Sequence, residues 1–274
     1  MKRLQFFDTH CHMDISPLKY SLLTFLEHQL HGKFPENVNF SNNICVNHAI
    51  LPGISVESSK KCIEIAQMTD TYYASVAIHP NSIMESSKED WEKITALSSH
   101  PKVAAIGETG LDRHWNTTPF ELQIDYFQRH LNLARERDLP VLIHCRDCDE
   151  DMIFVLNKQP QPLHGVLHSF SSTKETAEIF LNMGLYISFS GTVTYTNKKT
   201  APLWEAAKIV PDDRLLLETD APFLVPHPYR GKIPFNEPVM TAFVARRLAE
   251  LRHQPLEHIA DITTENAKRL FRIT

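Results

Sequence analysis

The 274-residue chain has no hydrophobic run approaching the ~20 residues that a bilayer-spanning helix needs. Its start, Met1-Lys2-Arg3-Leu4-Gln5-Phe6-Phe7, is basic but meets polar Asp8, Thr9 and His10 at once, so no secretory leader is expected. Cysteines are few and odd in number, five over the whole length, which argues against a disulfide framework and fits reduced thiols. A cytoplasmic protein without a membrane partner is the expectation. Cys145-x-x-Cys148 has a redox or zinc spacing, yet no second such pair exists. Basic charge is not in excess either: 28 Lys and Arg face 33 Asp and Glu, a net charge of -5. That balance argues against coating nucleic acid through a general basic surface, though metal ions can add positive charge at a phosphate-handling site. Internal repeats, low-complexity blocks and Gly/Ser linkers are also missing. With 42% hydrophobic residues the chain can bury a full core, and one domain over residues 1–274 is expected.

What recurs is the short apolar run. Segments 4–7, 44–46, 73–78, 103–106, 141–143, 165–167, 185–188 and 215–217 are rich in Val, Ile, Leu or aromatics and lack sustained alternation. They read as strands buried on both faces, as in a parallel sheet. Helical spacing fills the intervals. Ser16-Pro17 could open a helix carrying Leu18, Leu22, Leu26 and Leu30. Thr118-Pro119-Phe120-Glu121 has the capping-box pattern, followed by a stripe of Leu122, Phe127, Leu131 and Ala134. Eight strands alternating with helices predict a (β/α)8 barrel, with a doubly wound open sheet as the alternative. Residues 31–43 and 226–238 read as loops.

In either architecture ligands bind at the carboxyl ends of the strands. The residues that follow the proposed strands are His10-Cys11-His12, His79, Glu108, His144, His168 and Asp220. Residues two apart on a strand share a face, so His10 and His12 can chelate one cation while Cys11 points away. A lone His-x-His pair is weak; combined with Glu108, His144, His168 and Asp220 it becomes a ligand set. Four histidines and two carboxylates exceed one tetrahedral site and suit two adjacent divalent cations bridged by a carboxylate. Magnesium, manganese and zinc all accept such mixed ligands. By the same alternation Asp220 and Glu218 should face one way, with Asp220 as ligand and base and Glu218 as support for a neighbouring histidine. Asp112 reads as a supporting or turn residue.

These segments resemble the TatD-type metal-dependent deoxyribonucleases, within the wider amidohydrolase-like barrels. The resemblance rests on Phe7-Asp8-Thr9-His10-Cys11-His12, Ala77-Ile78-His79-Pro80, Gly107-Glu108-Thr109-Gly110-Leu111-Asp112, Leu142-Ile143-His144-Cys145-Arg146-Asp147 and Glu218-Thr219-Asp220-Ala221-Pro222, in order. It continues through Arg230-Gly231-Lys232 and Asn236-Glu237-Pro238 to Thr264-Glu265-Asn266-Ala267. It implies that His10, His12 and Asp220 hold one metal, His144 and His168 a second, and Glu108 bridges them. It further implies that His79 and Arg146 lie near the substrate phosphate, that Asp220 takes a proton from the attacking water, and that DNA is the substrate. The chain departs from the family at Ala77 and Ser172, where glycine is usual, and in a longer 13–43 segment. A hydrolase of small amides, lactones or esters is the rival reading, and a non-catalytic metal-stabilised binding protein a third. A monomer is compatible with the sequence.

Overall fold

A computed structural model describes residues 3–15 and 44–274, so the helix expected after Ser16 and the 31–43 loop lie outside the described residues. Eight strands follow in chain order: β1 (Leu4–Asp8), β2 (Ile44–Pro52), β3 (Tyr72–Val76), β4 (Val103–Asp112), β5 (Val141–Arg146), β6 (Gly165–Leu167), β7 (Tyr186–Phe189) and β8 (Leu215–Leu217). They form one sheet, paired in that order and parallel throughout. Between β8 and β1 single contacts replace a ladder. Thr9 N–H donates to Leu217 O at 3.3 Å, Asp220 N–H to His10 O at 2.8 Å and His12 N–H to Ala221 O at 2.6 Å. The buried Asp8 carboxylate ties the seam, accepting the Thr219 N–H at 2.9 Å and the Thr219 hydroxyl at 2.5 Å. The closed sheet is the expected (β/α)8 barrel.

Apolar residues fill both faces of the strands, as a sheet lined by helices requires. Phe7, Ile50, Leu142, Val166, Tyr186 and Leu216 form one buried cluster inside the barrel. Their neighbours Phe6, Leu51, Ile143, Leu167, Ile187, Leu215 and Leu217 belong to a second cluster, facing the helices. The period-2 alternation of strands separates the two sets. The outer layer comprises α1 (Val56–Gln67), α2 (Asp90–Leu97), α3 (Phe120–Arg137), α4 (Asp149–Leu156), α5 (Lys174–Asn182), α6 (Ala201–Ile209), α7 (Thr241–Arg252) and α8 (Leu256–Phe271). Helix α8 closes the lower end of the barrel, with Phe271 against Phe7 at 5.9 Å between ring centroids.

The capping box expected at Thr118 does not form. Helix α3 starts at Phe120 without a side-chain cap, and the Thr118 hydroxyl is buried without a partner among the described residues. Gln123 fixes the entry instead: its side chain accepts the Asp112 N–H at 2.8 Å and donates to Asp112 O and Thr118 O, both at 3.1 Å. The predicted stripe is present, with Phe127, Leu131 and Ala134 buried and Leu122 half-buried.

Candidate metal centre

Strand β1 stops at Asp8, so His10 and His12 stand just beyond it, on either side of Cys11, which bridges to Ala221. They still converge, their Nε2 atoms 3.3 Å apart. Cys11, between them, turns outward into the helix-facing cluster. Glu108 arrives from β4, which runs on through the polar residues because two glycines let it pass close to β5. A Cβ at Gly110 would lie 1.9 Å from His144 O, and one at Gly107 would lie 2.6 Å from Leu142 Cβ. Their φ values, +148° and +149°, also disfavour any other residue.

Glu108 is buried at the centre, and its two oxygens face different partners. Oε2 lies 3.3 Å from His10 Nε2 and 3.6 Å from His12 Nε2. Oε1 lies 2.9 Å from His144 Nδ1, 3.0 Å from His168 Nε2 and 3.3 Å from His79 Nε2. Asp220 joins the first group, its Oδ1 3.5 Å from His12 Nε2 and 3.7 Å from His10 Nε2. Beyond β8, Asp220 adopts a left-handed φ of +56°, a conformation that aspartate tolerates better than most residues. Strand alternation therefore does not place it. Glu218 nevertheless faces the same mouth, against His168.

The hydrogen-bond partners assign the imidazole tautomers. His144 Nε2 lies 2.9 Å from Asp112 Oδ2, so that nitrogen carries the proton and Nδ1 presents a lone pair to the centre. His168 Nδ1 lies 3.2 Å from Glu218 Oε1, so the neutral ring carries its proton there and presents its Nε2 lone pair in the same way. His79 is different. Its Nδ1 accepts the Asn81 N–H at 3.1 Å, so neutral His79 carries its proton on Nε2, aimed at Glu108. It offers the centre a donor, although its position falls within a possible cation-binding group with Glu108 and His144.

The charges are strongly coupled. Burial works against ionising Glu108, but the surrounding His168, His79 and His10 hold its carboxyl well below the ordinary range. Burial likewise opposes protonation of His168, and the Glu108 and Glu218 carboxylates overcome it and raise its pKa well above the ordinary value. Burial lowers His10, helped by the neighbouring His168 charge. Burial also lowers His79, against the pull of Glu108. Asp8, enclosed at the seam, is pushed up to about 8 by burial.

This donor set fits divalent cations. Imidazole nitrogens and carboxylate oxygens converge within 4.8 Å in three overlapping groups: His10 with His168 and Asp220, His10 with His12 and Glu108, and His79 with Glu108 and His144. Acceptors crowded so closely out of water need positive charge between them. Three buried polar atoms here, His10 Nδ1, His12 Nδ1 and Glu218 Oε2, also lack a partner among the described residues, although such atoms are normally satisfied.

Of the residues singled out in the sequence, His10, His12, Glu108, His144, His168, Asp220 and His79 come together. Arg146 does not: it is exposed at the rim, its guanidinium 5.7 Å from the centre of the Trp115 ring, with no carboxylate partner at Asp147 or Glu150. Sequence reasoning passed over Asp8 as the seam tie and Asn81, which holds both His79 and Asp112, the latter at 3.0 Å. The position of Asp8, just ahead of the histidine pair, was the available signal for one; Asn81 carried none. Cys145 and Cys148 are free thiols with sulfurs 3.8 Å apart.

Known proteins place the chain. Residues 7–272 match the family described as TatD related DNase. A Bacillus subtilis (strain 168) protein, the uncharacterized metal-dependent hydrolase YabD, is 39% identical over 97% of this chain and 99% of its own length. The 3'-5' ssDNA/RNA exonuclease TatD of Citrobacter rodentium is 34% identical, with 84% of this chain and 88% of that protein covered. The crystal structure of YJJV, a TatD homolog from Escherichia coli K12, superposes with a TM-score of 0.87 at 30% identity and covers 98% of both chains. The chain therefore belongs to the TatD-related family and is a metal-dependent hydrolase of that kind.

Proposed function

We propose that the whole chain, residues 1–274, acts as one deoxyribonuclease domain that hydrolyses DNA phosphodiester bonds. The observation that carries the reading is Glu108, whose two oxygens each face a separate group of imidazoles. His10, His12 and Asp220 would hold one divalent cation, His144 and His168 a second, with Glu108 between them. Such a pair of ions polarises a water and neutralises charge on the phosphoryl and departing oxygens. The chain supplies the rest. Asp220, partly open to solvent, accepts the water's proton. His79 directs its Nε2 proton into the site, where it can donate to a phosphoryl oxygen. Arg146 at the rim offers a planar pair of donors to a phosphate. Asp112 and Glu218 keep His144 and His168 in the tautomers that ligation requires. The exonuclease name of one relative supports a nucleic-acid substrate.

The test is hydrolysis of single- and double-stranded oligodeoxynucleotides with added Mg²⁺, Mn²⁺ or Zn²⁺. Wild type should cut, and Glu108→Ala and Asp220→Ala should each lose more than the roughly 100-fold typical of a supporting residue. A wild type that cuts no DNA, or variants that cut equally well, would reject the reading. Cleavage of an amide or lactone panel in its place would move the activity to that substrate class.

A further inference from the structure

Two aromatic rings stand in solvent at the mouth of the barrel, and each is tied to the metal-binding cluster. Trp115 is 52% exposed and Phe223 48%. The other large exposed apolar residues among those described, Met68, Met84, Phe154 and Ile179, lie on helical segments or at a helix end. Trp115 follows β4: its N–H and that of His114 donate to Asp112 Oδ1 at 3.0 and 2.8 Å, while Asp112 Oδ2 holds His144. Phe223 follows β8: its N–H donates to Asp220 O at 2.8 Å, and its ring meets His12 edge to face, centroids 5.9 Å apart. In a barrel ordered β1 to β8, strands β4 and β8 lie half a turn apart. The two rings therefore follow strands on opposite sides of the barrel.

We propose that Trp115 and Phe223 are base-stacking platforms for the nucleotides on either side of the scissile phosphate, so that an unpaired strand is what the site receives. The inference rests on the nuclease reading and adds specificity-determining residues to it. Every base has a π-face, so such platforms recognise nucleic acid without selecting sequence. Two rings on opposite walls need two bases free of a partner strand, which a paired duplex does not present. Arg146, against the indole at 5.7 Å, stiffens the Trp115 platform and puts a cation beside the flanking phosphate. A net charge of -5 argues against a general basic surface holding DNA, which gives local stacking a larger share of the grip.

The test is binding of a short single-stranded oligodeoxynucleotide made resistant to hydrolysis by phosphorothioate linkages, in Mg²⁺, followed by titration calorimetry and tryptophan fluorescence. Trp115→Ala and Phe223→Ala should each weaken binding roughly tenfold, while Trp115→Phe keeps near-normal affinity and loses most of the fluorescence quench. Abasic residues flanking the central linkage should weaken wild type by a similar factor and have no effect in the matching alanine variant. Unchanged melting temperatures would show that these exposed substitutions leave the fold alone. Alanine variants that bind like wild type, equal affinity for abasic and normal strands, or no binding by wild type would each overturn the proposal. If the alanine variants bind and cut unmodified DNA as wild type does, stacking is wrong and the nuclease reading stands. If wild type binds with a Trp115-dependent quench but cuts nothing, the nuclease reading is wrong and stacking stands.

Discussion

Replacing Asp112 by asparagine changes one oxygen to an amide nitrogen at a buried position, and the structure says where the nitrogen must go. Oδ1 accepts two backbone N–H groups, from His114 and Trp115, so the amide oxygen of the substituted side chain stays there. The NH2 group then occupies the Oδ2 position, 2.9 Å from His144 Nε2 and 3.0 Å from Asn81 Nδ2. It faces another donor at Asn81, and it drives His144 to accept at Nε2. The imidazole proton moves to Nδ1, the atom that points at Glu108 from 2.9 Å. The atom proposed to bind metal is thereby blocked without substituting His144 itself. Loss of such a supporting carboxylate costs about 10–100-fold in metal affinity, or about 1.4–2.8 kcal/mol. Competition of Mn²⁺ or Zn²⁺ binding against a chromophoric chelator measures it directly. If two cations bind as proposed, Asp112→Asn should shift one phase of a two-phase isotherm by that factor and leave the other, assigned to His10, His12 and Asp220 in that proposal, within about threefold. An isotherm identical to wild type refutes the tautomer argument, and an equal shift of both phases refutes the division of ligands.

His130 offers a pH test away from the centre. It lies between the Ile78 N–H, donated to its Nε2 at 3.1 Å, and the Tyr126 carbonyl, 2.7 Å from its Nδ1, and burial pushes its pKa from 6.5 down to about 4. The unfolded chain binds the proton first as pH falls, so this contribution is whole above pH 6.5, declines toward pH 4 and is then fully lost, about 3 kcal/mol in all. Urea unfolding across that window should show the decline and His130→Phe should flatten it; the same slope in the variant would refute it. Phe271→Ala should cost about 3–5 kcal/mol and lower the melting temperature by roughly 6–20 °C, with metal stoichiometry unchanged, because the ring packs at the far end from the ligands. Scanning calorimetry with and without Mn²⁺ should show stabilisation that reaches about 2.7 kcal/mol near a hundredfold excess over Kd, and no shift would argue against native-state binding.

Most of the barrel was legible because its strands are buried on both faces and so read as uninterrupted apolar runs. The runs under-report strand length wherever chemistry begins. Strand β2 continues past Val46 through Asn47 and His48 to Pro52, with His48 stacked on Phe7 at 5.2 Å. Strand β4 runs on through Gly107 and Glu108, where its register against β5 shifts, and rejoins the ladder from Thr109 to Asp112, although apolar patterning expects an end at Ile106. The pair His10 and His12 was found by strand alternation, which persists beyond Asp8 with Cys11 turned outward; seam hydrogen bonds, invisible in local sequence, hold the segment in place. The cap expected at Thr118 fails for a similar reason, since Gln123 ties the helix entry to Asp112 and Thr118 O by contacts that the local pattern does not show. His79 shows the remaining limit. Its residue type suggested chemistry, but only the Asn81 N–H tells a donor from a ligand.

The Asp8–Thr219 tie joins residues 211 apart in sequence, and His10 and Asp220 sit on either side of it. Loop closure of that length is an entropic obstacle that local contacts cannot offset early in folding. His10 and Asp220 can therefore come together only where the two edges of the sheet meet. Until they meet, β1 and β8 present unpaired edges, the kind of surface on which partly folded chains associate. One buried carboxylate, Asp8, thus covers those two edges and holds the donors of the cation-binding cluster on both of them.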